Sequence, residues 1–419
     1  MFALIDANSY YAAAEAVFDL SLRGKPIVVL SNNDGCCVAL NRQAKELGIS
    51  RFSPYFKIKS LCEKHGVVVK SSNYELYGDL SNKMMQVIGG FAQRQNIYSI
   101  DECFLDVSDF SKVFPDLYEH GHKLRRTVWK QTRLPVCVGY GPTLTLSKVA
   151  NHAAKKVPGF NGVAVLRNKQ EWEPILANME TSDVWGVGTR ISRRLADMRI
   201  HTALQLSQMN PKAAKRMFNI ELERTVRELQ GEPTKEWDSV RADKQQIYST
   251  RSNGERITDQ DSLHQALAMH ASTVASKARK QNSLACHLIA FAASSPFDDN
   301  PVSFRYSHQL TVPTNDTRLI VAAATQGLPM LFRPGVRYYR VGVGLVELSP
   351  AKHAQYSLFD TDKSDPVLMK CMDMINERYG RGTLTIAAQG REQKWAMRRE
   401  FLSKQFTTKW SDIPKIHCK

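Results

Sequence analysis

Asn96-Ile97-Tyr98-Ser99-Ile100-Asp101-Glu102-Cys103-Phe104-Leu105-Asp106-Val107 reads as two strand-like runs with a pair of acids between them. The flanks, 96–100 and 103–107, carry the β-branched and aromatic residues that fit a pleated sheet. The expected connection is Asp101-Glu102 alone, which puts both acids at a hairpin turn. A third acid, Asp6, closes the apolar run Met1-Phe2-Ala3-Leu4-Ile5. Three carboxylates at strand ends can converge in space, and converging oxygens suit hard divalent cations such as Mg2+. A pair of such ions is a device for moving phosphoryl groups in line. Nucleotidyl transfer is therefore the first chemistry these residues suggest. The competing reading is plain turn chemistry, where acids such as Asp are at home.

Working outward, the first 170 residues alternate strands and helices. Strand 2–6 leads to a helical stretch near 9–18, and Lys25-Pro26-Ile27-Val28-Val29-Leu30 reads as another strand. Helices are expected around 38–47, 54–65 and 75–93, then at 111–132 and 143–156, with a strand at 136–140 between the last two. Without the 20–70 insertion the order is β-α-β-β-α-β, a split ferredoxin-like arrangement. In that arrangement strand 1 and the central hairpin are neighbours, so Asp6 can meet Asp101 and Glu102.

From about 172 to 232 the pattern is wholly helical and contains Trp185-Gly186-Val187-Gly188-Thr189-Arg190. A Gly-x-Gly turn between helices exposes backbone N–H groups to phosphate, and Arg190, Arg193 and Arg194 follow directly. Alone, that turn is a weak signal. Residues 232–246 read as a polar linker. A second β/α module spans 247–349, with strands at 286–294, 304–312 and 338–348 and helices near 261–280 and 315–331. The end of the chain, from Arg391 to Lys419, mixes basic residues with Trp395, Phe401, Phe406 and Trp410, too many aromatics for a disordered tail.

The bulk numbers agree with a polyanion as partner. The 419 residues should form about two to four domains, since single cores stop growing near ~250–300 residues. There are 57 Lys+Arg against 41 Asp+Glu, a net charge of +16, and the pI is near 9.4. Such an excess favours nucleic acid or an anionic membrane surface. No apolar run reaches the ~18–20 residues that span a bilayer, and the N-terminus lacks the basic start of a signal peptide. No membrane role is expected, and a nucleic-acid partner is. The eight cysteines form no Cys-x-x-Cys pair or zinc spacing; buried free thiols in a reducing cytoplasm fit them.

Together these segments resemble the Y-family of translesion DNA polymerases, and within it the UmuC-type bacterial catalytic subunits. The resemblance covers essentially the whole chain. It is carried by Ile5-Asp6-Ala7-Asn8 with Tyr10-Tyr11-Ala12, Leu30-Ser31-Asn32-Asn33-Asp34-Gly35, and Ser71-Ser72-Asn73-Tyr74-Glu75-Leu76-Tyr77. Further matches are Tyr98-Ser99-Ile100-Asp101-Glu102, Ala150-Asn151-His152-Ala153-Ala154-Lys155-Lys156, Val184-Trp185-Gly186-Val187-Gly188, Gly254-Glu255-Arg256-Ile257-Thr258-Asp259 and Thr407-Thr408-Lys409-Trp410-Ser411-Asp412.

The resemblance implies an α+β multidomain polymerase with two Mg2+ ions per active site. Its ferredoxin-like palm would be 1–20 with 71–170, the small fingers 21–70, and the helical, helix-hairpin-helix thumb 171–232. A linker at 233–246 would lead to the β/α little finger at 247–349. It further implies that Asp6, Asp101 and Glu102 are the catalytic, metal-binding acids, with the Ala7 carbonyl as a further ligand. Tyr11 would be the steric gate against ribonucleotides, and Lys155 and Lys45 the cations on the triphosphate. Arg42 stands where many members have Tyr, and adds a phosphate contact or points to solvent. Leu144 stands where relatives usually have a polar residue. Gly186, Gly188 and Arg190 would grip DNA.

Gln355-Tyr356-Ser357-Leu358-Phe359 resembles the peptide that docks bacterial polymerases on the sliding clamp. Gln355, Leu358 and Phe359 are its anchors, within a clamp-binding segment 350–365. Residues 366–419 resemble the UmuC-type C-terminal extension, whose implied partners are UmuD-type subunits and the RecA filament. The implied activity is error-prone, template-directed synthesis from deoxynucleoside triphosphates on primer–template DNA during the SOS response. Two other classes stay open at this point: a catalytically silent DNA- and clamp-binding regulator, and a nucleotidyl cyclase sharing the palm fold.

Overall fold

The computed structural model describes residues 1–108, 116–237, 243–353, 363–380 and 382–414. It divides into two compact units. The first comprises Met1–Ser31, Gly35–Val240 and Phe401–Lys419; the second comprises Asn32–Asp34 and Arg241–Glu400.

The first unit contains strands β1 (Phe2–Ala7), β2 (Ile27–Leu30), β3 (Cys37–Leu40), β4 (Val68–Ser71), β5 (Arg94–Ile97), β6 (Glu102–Asp106), β7 (Val136–Gly141) and β8 (Val163–Val165). Five of them form one sheet in the order β5-β6-β1-β7-β8. Strand β1 lies at its centre, antiparallel to both β6 and β7. The expected pairing of strand 1 with the hairpin is therefore present. The period-two alternation of a strand sorts its side chains. Ala3, Ile5 and Ala7 of β1 join the main core with Leu80, Met84 and Val128. Leu4 clusters instead with Phe104 and Leu144.

Helices cover both faces. Tyr74–Gly89 starts at Asn73, whose side chain accepts from Leu76 N, and buries Leu76, Leu80, Met84 and Ile88 at helical spacing. Leu117–Thr132 starts likewise on Asp116. Leu144–Lys156, capped by Thr143, packs closely on β7. That approach requires glycine: a Cβ on Gly139 would sit 2.1 Å from Asn151 N and 2.5 Å from Ser147 O.

Three local expectations are corrected. The hairpin connection is not Asp101-Glu102 but residues 98–101, because β6 already begins at Glu102. Tyr98 N and Ser99 N both donate to Glu102 O and close this longer turn. The expected helix at 38–47 is a strand, β3, followed by the short helix Arg42–Glu46. Its Cys37-Val38-Ala39-Leu40 run is short enough to read either way until β2 supplies a pairing edge. Strands β4 and β8 were not expected; each is three or four residues long and pairs in parallel with a distant strand.

The second unit holds β9 (Ile247–Ile257), β10 (Ser283–Ala293), β11 (Ser303–Thr314) and β12 (Tyr338–Pro350) in the antiparallel order β11-β10-β12-β9. Helices Gln260–Lys280 and Thr317–Gln326 bury Leu263, Leu267, Val274 and Ile320 with Leu288, Val341 and Val343 of the sheet. β9 was missed because its middle, Arg251-Ser252-Asn253-Gly254-Glu255, is polar, as an edge strand tolerates. The stretch around Trp395 runs beside it: Gly254 N donates to Trp395 O at 3.1 Å. Helix Pro366–Tyr379 is tied to this unit by Asp373, which takes both Arg279 Nε (2.6 Å) and Nη2 (2.7 Å).

Candidate active site

Asp6 and Glu102 are direct partners in the antiparallel β1–β6 register. Residues opposite one another in such a pair project to the same face, with Cβ atoms about 5 Å apart. The two carboxyl groups hydrogen-bond each other. Their side chains are only 15% and 20% exposed, so the charge is held at low solvation.

Two lysines from helix Leu144–Lys156 meet them. Lys155 Nζ pairs with Asp6 Oδ1, and Lys148 Nζ pairs with Glu102 Oε2 at 2.8 Å. The lysines are seven residues apart, two helical turns, and so share a face. Lys148 was not among the residues the sequence singled out for the site; its i,i+7 spacing from Lys155 is the signal that finds it. Its ammonium also lies over the rings of Tyr98 (4.7 Å), Trp185 (5.2 Å) and Phe104 (5.8 Å), within cation–π range. Trp185 Nε1 donates to Tyr98 Oη at 3.1 Å and so fixes that ring.

The surroundings move the two acids in opposite directions. Burial pushes the Asp6 carboxyl up to about 7, with Lys155 opposing. Burial pushes Glu102 up too, but the hydrogen bond with Asp6 and the Lys148 charge outweigh it and hold Glu102 below its ordinary range.

Asp101 is placed differently. It lies in the bend before β6, and its carboxylate takes the Ser99 hydroxyl. Its carbonyl accepts from Ala7 N at 2.9 Å, which brings the Ala7 backbone beside the turn. The Asp101 charge helps raise the Tyr10 and Tyr11 phenols, after burial and a neighbouring tyrosine. Among the described residues no group of three or more His, Cys, Asp or Glu side chains is gathered closely enough to hold a metal ion. The structure thus joins two of the three expected acids, and keeps the third one residue away on the turn.

Tyr11 stacks on the buried ring of Tyr77, centroids 4.5 Å apart and planes at 18°. Arg42 and Lys45 sit on the short helix Arg42–Glu46, both exposed; Arg42 Nε pairs with Glu46 at 2.7 Å. Among the described residues no ion pair joins either cation to the acids. Leu144 is buried against Leu4 and Phe104, where a polar side chain would need a partner. Gly186 has φ +91°, and Gly188 is the N-cap of helix Thr189–Asp197, which has no side-chain cap; Arg190 is exposed in its first turn. Gln355, Leu358 and Phe359 lie outside the described residues.

The comparisons with known proteins fit this geometry. Residues 5–152 match the impB/mucB/samB family and 244–358 its C-terminal domain, while 366–416 match a domain of unknown function, DUF4113. Protein UmuC of Salmonella typhimurium is 43% identical, covering 99% of this chain and all of that protein. Protein MucB of Escherichia coli is 37% identical over 99% of each chain. A solved Y-family DNA polymerase chimera, Dbh-Dpo4(243-245)-Dbh, superposes with a TM-score of 0.64 at 19% identity, covering 83% of this chain and 99% of its own.

Fold and relatives define a Y-family DNA polymerase, an enzyme of error-prone translesion synthesis that extends primer–template DNA with nucleotides and works with divalent metal. The chain belongs to the impB/mucB/samB family. No helix among the described residues is long and apolar enough to cross a membrane.

Proposed function

We propose that Asp6 and Glu102, with Asp101 and the Ala7 carbonyl, hold two Mg2+ ions for nucleotidyl transfer. The Asp6–Glu102 pair carries this reading. Two hard carboxylates pressed together at low solvation, one pushed up to about 7 by burial, are a donor set that a divalent cation satisfies. Bound metal supplies charge stabilisation at the phosphoryl group and lowers the barrier to attack by the primer hydroxyl. The lysines provide positive charge on the same face. Lys155 leaves Asp6 for the triphosphate, and Lys45, with Arg42, approaches it from 21–70. Tyr11, on its Tyr77 platform, blocks a ribose 2′-hydroxyl.

On this reading 1–20 with 71–170 act as palm, 21–70 as fingers, 171–232 as thumb and 247–349 as little finger, joined through 233–246. The helix start at Gly186, Gly188 and Arg190 supports a phosphate contact with DNA. Gln355, Leu358 and Phe359 dock the sliding clamp, and UmuD-type subunits and a RecA filament act on the polymerase in the cytoplasm.

The test is primer extension across an abasic template with Mg2+, with and without those accessory proteins. Asp101→Ala and Glu102→Gln should each lower extension by at least ~10²-fold, the several kcal/mol that metal ions supply, while DNA binding survives. Extension retained by either variant removes it from the metal site.

A further inference from the structure

The segment 401–412 of the first unit, within the region that matches a domain of unknown function, is built against the two helices that carry Tyr11 and Tyr77. It enters beside the end of β4: Ser71 N donates to Phe401 O at 3.0 Å, and Phe401 N donates to Ser71 Oγ at 2.9 Å. Asn73, which caps helix Tyr74–Gly89, donates to Ser403 Oγ at 3.0 Å. Farther along, Phe406 stacks on Phe18 at 5.0 Å, and Thr407 Oγ1 donates to Asp79 Oδ2 at 2.7 Å. Asp412 closes the segment on itself by accepting from Gln405 N at 2.9 Å.

At the centre of these contacts is a buried acid. Glu15, 2% exposed on helix Tyr10–Phe18, accepts through Oε1 from Ser403 Oγ at 3.1 Å and from Tyr77 Oη at 2.6 Å. Tyr77 then stacks on Tyr11. Contacts therefore run without a break from Ser403 through Glu15 and Tyr77 to Tyr11. A carboxylate buried this deeply needs its hydrogen-bond donors, and one of the two belongs to the C-terminal segment. Phe18 and Glu15 lie on the helix of Tyr11, while Asn73 and Asp79 flank the turn of Tyr77. The segment thus bridges both supports of the stacked pair.

We propose that the 401–412 segment is part of the sugar-selecting apparatus, with Ser403 a positioning residue that holds Tyr77, and through it Tyr11, in place. The proposal rests on Tyr11 acting as the gate. A ring left loose on its platform excludes a 2′-hydroxyl less well without losing the acids or the DNA.

Single-nucleotide insertion kinetics test this, comparing deoxy- and ribonucleoside triphosphates under the accessory-protein condition that supports extension. Ser403→Ala and Ser403→Ala/Phe406→Ala should lower the deoxy-to-ribo ratio of kcat/KM about two- to tenfold, the size of one hydrogen bond. Ser403→Thr, which keeps the hydroxyl, should restore it, with DNA affinity unchanged in all three. Loss of stability alone would lower both nucleotides equally and leave the ratio fixed. Tyr11→Ala is the reference. If it lowers the ratio and the folded Ser403→Ala protein does not, the proposal is wrong and the gate stands. If Tyr11→Ala leaves the ratio unchanged, the gate reading fails and this inference fails with it.

Discussion

Lys148 Nζ sits 2.8 Å from Glu102 Oε2 while facing the rings of Tyr98, Phe104 and Trp185, so one cation ties an acid of the site to an aromatic wall. Both partners are largely buried, at 16% and 20% side-chain exposure. Breaking such a pair leaves an uncompensated charge, whereas removing both members costs less. In metal-free buffer, Lys148→Met should destabilise the first unit by about 1–3 kcal/mol, below the fully buried figure because some solvent remains. Adding Glu102→Gln should recover part of that loss. Urea midpoints of the four proteins in the cycle give the coupling, and additive single effects would show that the pair is not a stabilising contact.

Lys155 pairs with Asp6, whereas Lys45 is exposed on a short helix. Lys155→Met should raise the KM for deoxynucleotide by about tenfold or more, the value of a hydrogen bond to a charged group. Steady-state insertion kinetics decide this. A change confined to DNA affinity would move Lys155 away from the nucleotide.

Two glycines predict opposite signs. At Gly139 a Cβ meets backbone atoms of the helix that carries Lys148 and Lys155, and backbone cannot step aside. Gly139→Ala should cost about 3 kcal/mol and depress activity by displacing both cations. Gly78, inside helix Tyr74–Gly89, has no heavy atom within 4 Å of its Cβ position. Gly78→Ala should stabilise by about 0.5–1 kcal/mol. Thermal melts of the two variants are the measurement.

His270 is fully buried in the second unit, with Nδ1 2.8 Å from Ser249 Oγ and Nε2 unpartnered among the described residues. Burial, then the charges of Arg251 and Lys277, push it down to about 3 from 6.5. The folded state therefore favours the neutral ring. Its contribution is complete above the unfolded value and is lost as pH falls from 6.5 towards 3. Linkage gives a loss of about 1 kcal/mol per pH unit as pH falls below 6.5. His270→Gln should remove this part of the acid slope in urea unfolding; an identical slope in the variant would show that the ring does not titrate there.

The acids were legible early, because Asp6 and Asp101-Glu102 stand at the ends of apolar runs whose type is plain from β-branched and aromatic content. Their strand neighbours were legible too, through the β-α-β-β-α-β order. The short strands were not: β4 and β8 are three or four residues long, and a run that short takes its conformation from the edge it meets. The polar edge strand β9 escaped for the related reason that its outward residues have no core to pattern them.

By itself the sequence determined where the candidate acids stand and the β-α-β-β-α-β order around them, since local propensity and alternation are properties of neighbouring residues. Only the tertiary structure decided how the acids divide. Sheet register sets Glu102 opposite Asp6 with Lys148 and Lys155 above them, and leaves Asp101 on the turn beside the tyrosines. It also decided what the C-terminal segment touches, bringing Ser403 to a glutamate 388 positions away. Register and long-range contact come from the burial of whole faces, and no window of local sequence contains that information.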